Sequence, residues 1–201
     1  MNAPLVVAGD AVASLEIATV ARGIVVLDAM AKRAETTFVA ARTVSPGRYW
    51  VVISGGVAEV EEALDAALEI AAEDRVAHVL LRDPARGLVD ALASQLDTAM
   101  DESLLIVETT AISSTLVAID RALKETASAL LELRFGAGLS GKGVFTLTGA
   151  LHMVEAARDV VTEVLTPQTI VRTELIAQPH PDLPKRLLDA EGAALRGPKA
   201  L

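Results

Sequence analysis

Cysteine is absent from all 201 residues, so disulfides, thiol nucleophiles, iron–sulfur ligation and thiolate zinc sites are excluded together. Aromatic rings are almost as scarce, with three Phe, one Tyr and one Trp. A chain that is 52% hydrophobic with so few rings must build its core from Ala, Val, Leu and Ile, which suits helices lying close on a sheet. Positive charge is in deficit, 18 Lys and Arg against 27 Asp and Glu. A net charge of -9 without a basic run argues against nucleic acid, whose phosphates demand a cationic field. No uncharged apolar stretch approaches the ~20 residues that span a bilayer, and the opening MNAPLVVAGD has no basic n-region. Neither membrane insertion nor export is therefore expected, and a cytoplasmic location is. The three histidines, His78, His152 and His180, stand apart with no second ligand at metal-binding spacing, so no metal site is expected.

What the chain does contain is itself, twice. RFGAGLSGKGVFTLTG, from Arg134 to Gly149, has an earlier counterpart in RTVSPGRYWVVISG, from Arg42 to Gly55. Each opens with Arg after an apolar run, turns through a glycine followed by a cation (Gly47-Arg48, Gly141-Lys142), and ends in a β-branched strand that stops at glycine. The match extends outward, pairing Glu16 with Glu108, Asp28 with Asp120, Lys32 with Lys124, Val60 with Val154 and Asp65 with Asp159, among twelve identities in all. The chain divides on this reading into a tail (1–13), a first unit (14–95), a second unit (102–185) and a second tail (186–201), the last expected to be partly helical and then frayed.

Hydrophobic periodicity predicts the same element order in each unit. The first reads as strand 14–20, helix 22–34, a hairpin of 37–43 and 49–53, helix 57–71 and strand 77–81. A short helix through Leu88, Leu92 and Leu96 leads to the second: strand 104–109, helix 114–126, hairpin 129–148, helix 151–165 and strand 170–177. The predicted class is α/β (α+β): two β-α-β-β-α-β units, each an antiparallel four-stranded sheet with both helices on one face. The opposite sheet faces need covering, and a mean hydropathy of +0.43 is high for a monomer, so an oligomer is expected.

Catalytic chemistry finds no foothold. Gly136 to Gly143 satisfies G-x-x-x-x-G-K but has Gly143 where a phosphate loop needs Ser or Thr for magnesium, and a strand follows where a helix N-terminus should. Glu16 and Glu108 recur without a base, nucleophile or metal partner and read as structural hydrogen-bond acceptors. Catalytic residues and cofactors are accordingly expected to be none. Lys32 and Lys124, each four residues after an Asp, and the loop cations Arg48 and Lys142 are the recurrences that suggest shared contacts.

At these residues the chain resembles a bacterial microcompartment shell protein of the tandem-domain, unpermuted class. LEIATVARGIVVLDAMAKRA is similar to the family's strand-to-helix start, each hairpin loop to its pore loop, and ELIAQPHPDL to its last strand and Pro-His signature. The resemblance implies a homotrimeric, pseudohexameric tile with a central pore, joining hexameric and pentameric shell proteins in the shell of a cytoplasmic compartment. It implies pore loops at Ser45, Pro46, Gly47 and Arg48 and at Leu139, Ser140, Gly141 and Lys142. It implies tile-edge contacts by Lys32 and Lys124, by Arg82, and around Gln178, Pro179 and His180, with Gln178 standing where the family commonly has Arg. Six cations about one axis would favour small metabolites carrying carboxylate or phosphate. The rival expectation is a small-molecule-binding regulatory oligomer with ferredoxin-like repeats, which would stay a discrete particle.

Overall fold

The computed structural model describes residues 9–136 and 138–183. The first unit runs β1 (Ala11–Ile17), α1 (Val20–Arg33), β2 (Thr37–Val44), β3 (Arg48–Gly55), α2 (Val57–Ala71), a 3-10 turn (Ala72–Asp74) and β4 (Arg75–Arg82). A short α3 (Arg86–Leu92) leads to β5 (Ser103–Thr109), α4 (Ile112–Glu125), β6 (Ala129–Phe135), β7 (Gly143–Gly149), α5 (Leu151–Val164) and β8 (Ile170–Ile176). The sheets have matching orders, β2-β3-β1-β4 and β6-β7-β5-β8, antiparallel throughout. The duplication and the predicted class are both present.

Several predicted boundaries shift; α1 and α4 each begin two residues early, at Val20 and Ile112, and β3 runs over Arg48–Gly55. The first strand lies at Ala11–Ile17 and not at 14–20, because Ala18 N–H turns to the carbonyl of Asp74 and Val20 already starts α1, with Gly23 N–H on Thr19 O. Alternation in the small residues 11–13 was too faint to mark them as strand. β4 runs over Arg75–Arg82, wider than 77–81. The connecting helix ends at Leu92, short of Leu96, where Ser94 takes a left-handed φ of 57° and closes the turn onto Ala91 O. The expected C-terminal tail at 186–201 lies outside the described residues, as does most of the N-terminal one.

Every residue of β1 is buried, on both sides of its sheet. Ala11, Ala13, Leu15 and Ile17 face α1 and α2 in one apolar cluster with Val26, Met30, Val60 and Ala67. Val12 points the other way and joins Trp50, Val52 and Leu81 in a cluster with Leu116, Ile119 and Phe135 of the second unit. The far face of the first sheet is thus covered by the chain itself, with α4 laid against β4 and β1. Burying an aliphatic side chain in such a seam contributes about 1.5–3 kcal/mol.

Candidate functional site

Two hairpin loops carry the repeated cations. In the first, Ser45-Pro46 is a cis peptide, Gly47 N–H bonds Val44 O, and Arg48 opens β3. In the second, Leu139 N–H bonds Gly136 O and Lys142 N–H bonds Leu139 O, with Ser140 and Gly141 at positive φ. The glycine-rich segment leads into strand β7 and not into a helix, which removes the phosphate-loop reading. The two loops meet within one chain: a Cβ placed on Gly141 would stand 2.6 Å from Arg48 Nη1. Gly141 is favoured for its φ of 83°, while the flexible tip of Arg48 could yield to a Cβ there.

Each loop cation is held by the recurrent glutamate. Arg48 Nη1 lies 3.5 Å from Glu16 Oε2, and Lys142 Nζ donates to Glu108 Oε1 at 2.7 Å. Glu16 is fully buried, whereas Glu108 is about one-third exposed. The other Glu16 oxygen accepts the Ser113 backbone N–H at 2.8 Å, at the start of α4. Burial pushes the Glu16 carboxyl up, opposed by hydrogen bonds from Ser113 and by the charge of Arg48. The glutamates are structural acceptors, as expected, but recurrence together with the loop cations was a signal that sequence reasoning left unconnected. It also missed Ser14, Ser113 and Trp50, which close the seam: Trp50 Nε1 donates to Ser14 Oγ at 2.9 Å, and Ser14 Oγ lies 3.2 Å from Ser113 Oγ.

The two lysines stand in unequal settings. Lys32 is three-quarters exposed and pairs with an exposed Asp28 at 2.6 Å. Lys124 bonds Asp120 at 2.8 Å, and that carboxylate is buried because it also accepts the Ala85 N–H at 2.7 Å, where the connection between units begins. Arg82 pairs with Glu61, and its carbonyl lies 3.5 Å from Lys124 Nζ, so these two edge candidates are neighbours. Gln178 and Pro179 line an open recess with Met100 and Asp101, and exposed His180 accepts the Asp182 N–H through Nδ1. Among the described residues there is no group of three or more His, Cys, Asp or Glu placed to hold a metal, and no helix long and apolar enough to cross a membrane.

Two sheets of one order, each with its helix pair and a loop cation tied to a strand glutamate, define a tandem α/β domain pair. Residues 11–84 and 103–179 both match the BMC domain model, and the chain belongs to that family. It is 24% identical over 181 residues to the bacterial microcompartment shell protein PduT of Citrobacter freundii, covering 90% of this chain and 98% of that one. A solved microcompartment protein from Desulfitobacterium hafniense is 32% identical and superposes with a TM-score of 0.78 over 89% of this chain and 99% of its own. The fold also matches, at 21% identity and a TM-score of 0.60, a fused permuted hexameric shell protein of the RMM microcompartment, over 76% of this chain and 80% of that one. The protein is a structural shell component of a bacterial microcompartment and not an enzyme.

Proposed function

We propose that three chains form a pseudohexameric facet tile whose six hairpin loops surround a central pore for small metabolites. The observation that carries this reading is the meeting of the two loops, Arg48 against Gly141, each cation backed by its own glutamate. Repeating that neighbourhood around an axis would bring Ser45 to Arg48 and Leu139 to Lys142 of every chain to one opening. A preference for anions follows from Arg48 and Lys142, reduced because Glu16 and Glu108 offset them one for one. Lys32, paired with Asp28 on the surface, is one edge cation in this reading, and Lys124, with Arg82 beside it, is the other; Gln178, Pro179 and His180 form a separate edge contact.

Electron microscopy of the purified protein, alone and with a hexameric shell protein, tests the tile. Six-lobed particles that extend into sheets or closed shells are expected. Particles that stay discrete at high concentration with both components present would refute it.

A further inference from the structure

Arg42 is a cation that the fold half-buries and leaves without a partner. It stands on β2 opposite Trp50 of β3, and its guanidinium carbon lies 5.3 Å from the centre of the Trp50 ring and 5.5 Å from that of Phe135 in the second unit. Ring faces attract a cation but supply no lone pair along its N–H bonds. Among the described residues Arg42 forms no ion pair, and its Nε is sealed from solvent with no hydrogen-bond partner. The side chain is therefore anchored at its Nε end, and only the Nη end is open to a ligand. A positive charge taken partly out of water without a counter-charge is unfavourable, so the arrangement favours an anion that would supply one.

The second unit shows the same position with its charge balanced. Arg134 is matched with Arg42, in the same register on β6 opposite Val144, and it donates to Glu132, two residues earlier, at 2.6 Å. The residue matched with Glu132 is Ala40. One arginine thus has a carboxylate, and its duplicate has none. Arg48 is held by Glu16 and Lys142 by Glu108, which leaves Arg42 as the cation at this end of the seam with no counter-charge. Room lies beside it: Phe135 runs directly into Gly136, and a Cβ added to Gly136 or Gly138 would meet no atom within 4 Å. At the other end of the same loop, Gly141 lies against Arg48, which shares with Trp50 the sheet face that carries Arg42.

We propose that Arg42 binds a small oxyanion, the carboxylate or phosphate group of a metabolite, within the seam of each chain where the glycine loop begins. The anion takes the Nη groups and supplies the charge that Ala40 withholds, and a guanidinium held against two rings presents its planar fork already oriented. Arg48, whose 3.5 Å approach to Glu16 is long, adds a second positive charge on the same face. The site is complete within one chain, so it stands independently of the ring and of any pore.

Isothermal titration calorimetry of the full chain with sodium phosphate and, separately, with sodium acetate, at an ionic strength held constant with chloride, tests the site. One saturable site per chain is expected for at least one of the two, and which anion binds tells a phosphate pocket from a carboxylate one. Arg42→Gln should weaken binding by roughly tenfold or more, and so should Ala40→Glu, which gives Arg42 the partner that Arg134 already has. Arg42→Lys should weaken it less, since the charge stays and the fork is lost. Circular dichroism checks that each variant is folded; if Arg42→Gln is not, Ala40→Glu and Arg42→Lys decide. Saturable binding of neither anion, or affinities that these substitutions leave unchanged, would overturn the proposal. Sedimentation of the same samples separates it from the tile: a monomer that binds keeps the site and removes the ring, whereas a trimer that binds neither anion does the reverse.

Discussion

Asp120 accepts the backbone N–H of Ala85, thirty-five residues earlier, and holds Lys124 with its other oxygen; its counterpart Asp28 holds only Lys32. One duplicated Asp-x-x-x-Lys pattern has thus become an anchor for the connection between units in the second copy and stayed a solvated pair in the first. Asp120→Ala leaves a part-buried N–H unpaired and should cost about 2–3 kcal/mol in chemical denaturation. Asp28→Ala should cost no more than about 0.5 kcal/mol. Equal losses would show that the anchor contributes nothing.

The seam carries a pH signature. Burial holds the Glu16 carboxyl above its ordinary 4.5. A carboxyl raised on folding contributes stability that is complete below its unfolded value and fades as pH rises through its folded one. The unfolding midpoint of the wild type should therefore fall, relative to Glu16→Gln, as the medium is taken upward from about pH 4.5. Glu132, also raised by burial, acts in the same direction and is common to both chains. Parallel curves for the two proteins across that range would contradict the assignment.

Gly23 lies where α1 passes over β3, and a Cβ there would sit 2.3 Å from Tyr49 Cβ. Neither atom can swing aside, since one belongs to a helix and the other to the root of a strand side chain. Gly23→Ala gains helix propensity of ~1 kcal/mol and loses more to the collision, for a net destabilisation of roughly 1–3 kcal/mol. Thermal denaturation decides the sign, and a stabilised variant would show that the helix can lift without cost.

Charge at the loops is testable in assembled shells. Arg48→Glu with Lys142→Glu should slow entry of a small dicarboxylate by about tenfold relative to an uncharged solute of the same size, the low end for electrostatic steering because each native cation is already paired. An unchanged ratio would mean that these side chains do not face the route.

Much of the fold was legible in the sequence because duplication doubles every signal. A single Glu at a strand position says little, but Glu16 and Glu108, standing 32 and 34 residues before Arg48 and Lys142, mark a repeated pairing. Of the α2 stripe that the helical period predicts, Val57, Val60, Leu64, Ala67 and Ala71, all but the half-buried Val57 are buried, and Ala63 joins them. What could not be read was how the units sit on each other. Leu116 and Ile24 are equivalent in pattern, yet one is sealed in a seam and the other stands in the open, since periodicity reports which face is apolar and not what covers it. The unequal environments of Lys32 and Lys124 escaped for the same reason: the difference comes from Ala85, a backbone N–H with no signature in side-chain chemistry.

The shortage of rings leaves a spectroscopic opportunity. The one tryptophan, Trp50, stands in the seam, its indole edge-on to Phe135 of the other unit at 4.5 Å between centroids and the Arg42 guanidinium 5.3 Å from its own. Its emission is therefore a reporter of separation between the halves, free of background from any other indole. Parting of the two lobes before either melts would announce itself as a red shift that precedes the loss of helical ellipticity, so the order of events in disassembly can be followed without attaching a label.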